Sequence, residues 1–174
     1  MNSSRLIVAT LILSVIGFII FQLIDEQKLN YYNVNSNLQL VRLHEDFAKN
    51  KKVQASLLIN NSKIKFINFW ASWCGVCATE RAVLVELWRA LPKNKVEFLS
   101  VATSDTEADL KSSGKVKDNI YPLYFDFTEG LQRSMSVSAL PQSFLLGVDN
   151  SVLLHIKGPV NSVKLKTILD MINQ

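Results

Sequence analysis

The amino-acid sequence predicts an α/β protein in which helices flank a central mixed β-sheet, preceded by one N-terminal transmembrane helix. In the body of the chain, β-branched and aromatic segments of strand length alternate with amphipathic stretches of helical period. Near the amino end, a long run without charge indicates the membrane helix. The 174 residues, of which 48% are apolar, suit one globular domain with a short appendage and leave no room for a second full domain.

The uncharged run covers residues 6–24 and is long enough, as a helix, to cross about 30 Å of hydrocarbon. It lacks a small-x-small cleavage step, so we favour an uncleaved anchor over a cleaved signal peptide and over a buried core helix. Arg5 precedes the run, whereas Asp25 and Glu26 follow it, which predicts a cytoplasmic amino end. We therefore expect a single-pass protein of the cytoplasmic membrane, with its domain facing the periplasm or the cell exterior, where conditions are oxidising.

The sequence predicts three regions. Residues 1–24 form the membrane anchor, the polar residues 25–38 form a tether, and residues 39–174 form the folded domain. The formal charge is +4, with 19 basic residues scattered among 15 acidic ones. Because the only tight basic cluster, Lys49, Lys51 and Lys52, is short, we interpret it as a solvated loop and expect no nucleic-acid partner.

The first half of the domain contains two segments of buried-strand character, residues 63–70 and 96–102. Between them lies an apolar stripe with the spacing of a helix: Leu84, Leu87, Trp88 and Leu91. Pro92 ends this helix. After the second strand, Asp105 or Thr106 is expected to cap a polar helix that stops near Gly114.

The second half of the domain begins with residues 122–127, which we interpret as an edge strand. Two strand-like segments then flank Asp149 and Asn150, which predicts an antiparallel hairpin. A last helix, capped by Asn161 or Ser162, has its own apolar stripe: Leu165, Ile168, Leu169 and Ile172. Because the apolar strands need cover on both faces, this order predicts a mixed sheet between helices.

The chain contains two cysteines, Cys74 and Cys77, directly after the first predicted buried strand. As a structural disulfide they would close a very short loop and stabilise the fold little. A closed zinc site needs four ligands, and the two histidines, His44 and His155, are far away in sequence, so no metal site is expected. A redox pair remains the favoured interpretation.

The position of the pair explains how a redox reaction would work. Cys74 would lie at a helix amino terminus, where free backbone N–H groups and the helix dipole lower a thiol pKa below its usual value of about 8.5. We therefore expect Cys74 to be the exposed nucleophile. Cys77, one turn further, would be the more buried thiol that resolves a mixed disulfide.

The stretch FWASWCGVC, residues 69–77, resembles the active-site segment of thioredoxin-fold proteins, and the similarity continues from about Ser56 to the carboxyl terminus with gaps. It is most similar to the membrane-anchored, periplasm-facing TlpA-like branch, which includes the thiol-disulfide oxidoreductases of cytochrome c maturation. Three further segments resemble that branch: VSALPQSFLL, YPLYFD and HIKGPVN. The resemblance implies a thioredoxin-like fold.

The resemblance also implies two roles beside the cysteines. The Leu140–Pro141 bond would be cis and packed against the cysteines, with the Leu140 backbone free to pair with a substrate chain. Glu80 would tune the thiols and relay a proton, although its spacing alone indicates a solvated acid near a helix end. Trp73 is interpreted apart from the resemblance: the alternatives are a core residue and an aromatic that shields the neighbouring thiol and contacts the partner, and we favour the second because an aromatic beside an exposed thiol more often has that role.

Three places in the sequence depart from the thioredoxin pattern. Asn68 stands where thioredoxin has a buried Asp, as it often does in the anchored branch, so a proton relay cannot run through this position. Gln142 replaces the acid often found after the cis-proline, and Asn61-Ser62-Lys63 replaces the usual Gly-Lys-Pro before the first strand of the motif. The last two changes weaken the link to cytochrome c maturation but leave the fold unaffected.

Of the remaining aromatic residues, Trp70 and Trp88 are interpreted as core, and His155 as a surface or hairpin residue.

The function expected from these features is the reduction of disulfides in extracytoplasmic proteins such as apocytochrome c. The redox-active Cys74–Cys77 pair is expected to need no other cofactor, and the resemblance implies that its electrons come from a thiol-transferring membrane protein. Because Gly75 and Val76 carry no charge, nothing between the cysteines indicates a strong oxidant. A disulfide oxidase or isomerase of the copper-tolerance type, and a copper carrier on the same fold, remain alternatives.

Overall fold

The computed structural model describes residues 12–16, 34, 37–44, 46–117 and 120–173, and the chain divides into two units, Met1–Tyr31 and Tyr32–Gln174. In the first unit, residues 12–16 are helical, and their four large apolar side chains are 46% to 67% exposed. Most of the predicted membrane segment lies outside the described residues. Within the described part of the chain, no helix has the length and apolar character needed to cross a membrane.

The second unit is built on a seven-stranded mixed sheet with the order β2-β1-β5-β4-β3-β6-β7. The strands are β1 Gln39–Arg42, β2 Lys51–Gln54, β3 Ile64–Trp70, β4 Val96–Ala102, β5 Leu123–Phe125, β6 Gln142–Leu146 and β7 Val152–Lys157. The helices are α1 Ala55–Ile59, α2 Gly75–Thr79, α3 Arg81–Ala90, α4 Glu107–Ser112, α5 Gly130–Ser134 and α6 Ser162–Ile172, with a 3-10 turn at Phe47–Lys49.

Strand β3 lies inside the sheet, parallel to β4 and antiparallel to β6. Its side chains alternate between two faces, and Phe66, Ile67 and Phe69 are each 0% exposed. A strand that is buried on both faces has to be apolar almost throughout, which is the pattern that predicted it. The predicted strands at residues 63–70 and 96–102, and the hairpin of β6 and β7, are therefore confirmed.

Helices cover both faces of the sheet, and each face has its own apolar cluster. On one face, Leu87 of α3 and Ile168 of α6 pack with Phe66 and with both cysteines. On the other face, α1 and α5 contribute buried side chains beside Ile67 and Phe69. This arrangement confirms the predicted central mixed sheet flanked by helices.

Two helices have caps at the predicted positions, and one helix break was not predicted. The Thr106 hydroxyl accepts a hydrogen bond from the Asp109 N–H at 3.1 Å and caps α4, whereas Asp105 bonds elsewhere. Asn161 caps α6 by accepting a hydrogen bond from the Lys164 N–H at 3.0 Å. Glu80 separates α2 from α3, so the helix that follows the cysteines is broken at that residue.

Two sequence-based expectations about the sheet edges were wrong. Strand β5 is internal, because β1 pairs with it on the side away from β4. Lys51 and Lys52 belong to β2, an exposed edge strand, and not to a loop; charged side chains on an edge oppose pairing with other chains.

Val34, inside the expected tether, is 2% exposed and packs in the core, so the folded unit begins before Gln39.

The cap of α6 provides a stability test. Replacing Asn161→Ala leaves the Lys164 N–H without its acceptor and should lower the free energy of unfolding by about 1 kcal/mol. Asn161→Asp keeps an acceptor oxygen and should lose little. Urea unfolding of the three oxidised proteins measures the difference, and equal stability of the Ala and Asp variants would contradict this role of Asn161.

Candidate active site

The two cysteines form a disulfide at the point where β3 gives way to a helix. The S–S distance is 2.03 Å and the Cα–Cα distance is 5.3 Å. Cys74 is the N-cap residue of α2, and its Sγ accepts a hydrogen bond from the Cys77 backbone N–H at 3.1 Å. The sequence-based placement of Cys74 at a helix amino end is therefore confirmed. A thiolate at this position would accept the same hydrogen bond.

The expected difference in exposure between the cysteines is not present in the disulfide form. Cys74 is 6% exposed and Cys77 is 7% exposed, so Cys74 is not the more accessible residue. Both residues belong to one apolar cluster, and each bonded sulfur covers part of the other.

Trp73 lies on the surface directly before the disulfide. Its side chain is 65% exposed, yet the indole N–H donates a hydrogen bond to the Ser104 carbonyl at 2.8 Å. Val76, between the cysteines, is 53% exposed. The rim of the disulfide thus presents apolar surface of the kind that is enriched at protein interfaces.

The loop before β6 carries the predicted cis peptide bond, which is confirmed between Leu140 and Pro141. The register Phe69↔Gln142 puts Pro141 at the same end of the sheet as the cysteines. The Pro141 carbonyl accepts a hydrogen bond from the Gly158 N–H at 2.9 Å. Leu140 is half-buried and packs against the cluster that contains both cysteines.

Glu80 is buried, with 1% of its surface exposed, so its interpretation as a solvated acid is wrong. One carboxylate oxygen accepts a hydrogen bond from Asn68 Nδ2 at 2.9 Å, and the other accepts one from the Val160 N–H at 2.7 Å. Burial raises the pKa of Glu80; the two hydrogen bonds and the charge of Lys164 oppose this rise without cancelling it.

Glu80 and Cys77 line the same small cavity, which has a volume of about 40 Å³ and is large enough for a water molecule. Its wall also includes Asn68, Ser100 and Tyr121. Burial raises the pKa of Tyr121 to about 12, so its hydroxyl is neutral at physiological pH. Trp70, a core residue as expected, also lines this cavity, and its buried indole N–H has no hydrogen-bond partner among the described residues.

Several polar residues of the site were not found from the sequence. Ser100 and Ser143 are almost fully buried in β4 and β6 and lie within hydrogen-bond distance of Asn68. The signal that was available is a polar side chain in the middle of a buried apolar strand. The sequence pointed to Asp105 only as a candidate helix cap, and no signal indicated that it accepts hydrogen bonds from the backbone N–H and the hydroxyl of Ser72.

The remaining candidate residues are not part of the disulfide site. Trp88 is half-buried and packs edge-on against Phe98. His155 lies on β7, stacks on Phe144 and shares a hydrogen bond of 2.9 Å with Gln142. Among the described residues, no group of three or more His, Cys, Asp or Glu side chains is placed to hold a metal ion.

Three features define the class of thioredoxin-fold redox proteins: a mixed sheet between helices, a Cys-x-x-Cys disulfide between strand and helix, and a cis-proline at the same end of the sheet. Comparisons with known proteins agree. The model of the AhpC/TSA family matches residues 34–154, and the chain belongs to this family.

Relatives and solved structures lead to the same class. The chain is 24% identical to the thiol-disulfide oxidoreductase ResA of Bacillus thuringiensis subsp. konkukian, over 97% of this chain and 94% of the relative. The thioredoxin domain of a thiol-disulfide oxidoreductase from Bacteroides vulgatus matches 84% of this chain and 100% of its own, with a TM-score of 0.65 and 16% identity. The match to StoA from Bacillus subtilis covers 77% of this chain and 98% of StoA, with a TM-score of 0.59 and 18% identity.

The structural matches confirm the thioredoxin-like fold predicted from the sequence. The expected enzyme class is also confirmed: the chain is a thiol-disulfide oxidoreductase.

The burial of Glu80 predicts a pH-dependent contribution to stability. Because its pKa in the folded state lies above the ordinary value of 4.5, the folded protein keeps a proton that the unfolded chain releases. The free energy of unfolding of the wild type, minus that of Glu80→Gln, should be largest below pH 4.5 and fall as the pH rises through the raised pKa.

Urea unfolding of the oxidised proteins over a pH series measures this difference. Loss of one hydrogen-bond acceptor in the Gln variant adds an offset that does not depend on pH. A Glu80 difference that is flat or rises with pH would contradict the raised pKa.

Proposed function

We propose that the protein is a membrane-anchored, extracytoplasmic reductase that reduces disulfide bonds in proteins such as apocytochrome c. The observation that carries the proposal is the position of Cys74 at the amino end of α2, where its sulfur accepts the Cys77 N–H. Hydrogen bonds to sulfur and a helix amino end both favour the thiolate over the thiol. Cys74 is thereby prepared to attack a foreign disulfide.

The reaction consists of two exchanges that begin from the reduced pair. The Cys74 thiolate attacks one sulfur of the substrate disulfide, a mixed disulfide forms, and the other substrate sulfur leaves as a thiolate. Cys77 then loses its proton and attacks the Cys74 sulfur, which forms the Cys74–Cys77 disulfide and releases the second substrate thiolate. Two electrons pass to the substrate, each leaving thiolate takes up a proton, and no further cofactor is needed.

Glu80 is the proton acceptor that we propose for Cys77. The two residues line one cavity that has room for a water molecule, so a proton has a short path between them. Burial raises the pKa of the Glu80 carboxyl and makes it a better base than an exposed carboxylate. Its two hydrogen bonds hold it in place for this task.

Substrate binding would use the cis-proline loop and the exposed rim. Leu140 lies just outside β6, so its backbone is available to pair with an extended substrate segment as an added strand. Trp73 and Val76 supply exposed apolar surface beside the disulfide. Recognition through backbone groups and general apolar contact suits an enzyme that acts on protein disulfides.

Features of the sequence support the proposed direction of electron flow and the proposed location. The dipeptide Gly75-Val76 has no charge and no His that would make the pair strongly oxidising. The uncharged residues 6–24 would anchor the chain in the cytoplasmic membrane, with the domain on the outer side. There, a thiol-transferring membrane protein would supply the electrons.

A trapping experiment tests the proposal. In the full chain, Cys77→Ser should accumulate a mixed disulfide between Cys74 and its substrate, because the resolving thiol is absent. Cys74→Ser is the matched control and should trap little. Non-reducing gels followed by mass spectrometry identify the bound protein and the cysteine involved. Equal trapping by both variants, or trapping by neither in cells that contain the substrate, would contradict the assigned roles.

A further inference from the structure

All three polar groups of Ser72, two residues before Cys74, are bound by charged side chains. The Ser72 N–H donates to Asp105 Oδ2 at 2.5 Å, and the Ser72 hydroxyl donates to Asp105 Oδ1 at 2.9 Å. On the other side, Lys115 Nζ donates to the Ser72 carbonyl at 2.5 Å. Hydrogen bonds with an ionised partner are stronger than those between neutral groups.

The next residue, Trp73, is held by the same loop. Its indole N–H bonds the carbonyl of Ser104, which has a positive φ of 50°. The hydroxyls of Thr103 and Ser104 both donate to Gln132 Oε1, and the Gln132 side-chain amide donates to the Val137 carbonyl at 3.4 Å. The loop that binds Ser72 and Trp73 is thus tied, through Gln132, to the segment that leads to the cis-proline.

These contacts matter because Ala71, Ser72 and Trp73 lie between β3 and α2, outside the sheet and the helix. The ladder of hydrogen bonds that fixes β3 therefore stops before the segment that carries the nucleophile. Attack on a disulfide requires the sulfur to approach along the S–S axis, and small misplacements of a reacting group reduce rates strongly.

We propose that Asp105 and Lys115 are positioning residues for Cys74. They hold Ser72 from two sides, and the rate at which Cys74 attacks a disulfide depends on both. The inference rests on the proposed function, since it concerns the attack of Cys74 on a substrate.

The opposite charges of the two residues allow positioning to be separated from electrostatics. Removal of a negative charge near Cys74 favours the thiolate, and removal of a positive charge disfavours it. If charge alone mattered, Asp105→Asn and Lys115→Met would shift the pH midpoint of attack in opposite directions. The high-pH rate would also change in opposite directions, because the nucleophilicity of a thiolate falls as its pKa falls. At high pH the Cys74 thiol is fully ionised, so its protonation no longer limits the rate. Loss of positioning instead lowers the high-pH rate in both variants.

The experiment uses the reduced full chain with Cys77→Ser, so that Cys74 is the single thiol. The rate of its attack on a chromogenic aryl disulfide is measured over a pH series. Asp105→Asn and Lys115→Met should each lower the high-pH rate by about tenfold. Lys115→Arg, which keeps a donor for the Ser72 carbonyl, should recover most of the loss.

Glu107→Gln and Lys111→Met make the same charge changes at exposed positions of α4 and should leave the high-pH rate unaltered. Circular dichroism shows whether each variant is folded at the assay temperature, and rates are compared among folded variants. A high-pH rate within twofold of the parent or above it for either Asp105→Asn or Lys115→Met, or equal losses in the two controls, would overturn the inference. If the parent itself fails to attack the disulfide at any pH, the proposed function fails instead.

Discussion

The burial of strand β3 on both faces is the constraint on which the site depends. Because β4 and β6 pair with its two edges and helices cover its faces, the register of β3 is strongly fixed. The chain therefore leaves the sheet at Trp70, and Cys74 caps the next helix four residues later. The same register brings Pro141 to this end of the sheet, so one set of strand pairings assembles both parts of the site.

The buried carboxyl of Glu80 is unfavourable for stability, and the fold offsets part of this effect with hydrogen bonds. An ionised group out of water is unfavourable unless it is hydrogen-bonded, and Asn68 and the Val160 N–H supply these bonds. The bonds reduce the unfavourable effect of burial, yet the pKa of Glu80 stays above its usual value. Asn68 thus hydrogen-bonds the Glu80 carboxyl from the strand position where thioredoxin has a buried Asp.

The sequence was sufficient for the parts of the structure that depend on local pattern. The buried strands, the cap at Asn161 and the placement of Cys74 follow from residue type and spacing, and the cis bond at Pro141 followed from the resemblance to thioredoxin-fold proteins. The strands β1 and β2 were missed because they are short and partly polar. Their omission is also why β5 was interpreted as an edge strand.

The polar part of the site depended on long-range contacts that spacing does not encode. Glu80 lies near a helix end, where an acid is commonly solvated, and its burial results from Val160, which is 80 positions further along the chain. Likewise, Asp is a residue type that often caps helices, but the Asp105 carboxylate accepts a hydrogen bond from Ser72, 33 positions earlier. Such partners become visible only when the sheet brings the loops together.

The redox state of the cysteine pair in living cells tests the central claim, which is that the pair donates electrons. Acid quenching followed by alkylation with a heavy maleimide separates the reduced and oxidised forms on a gel, and variants with Ser at Cys74 or Cys77 mark the positions of the bands. An electron donor that is resupplied from the membrane should be found mostly reduced. A pair that is mostly oxidised would contradict the account and would indicate an enzyme that introduces disulfides.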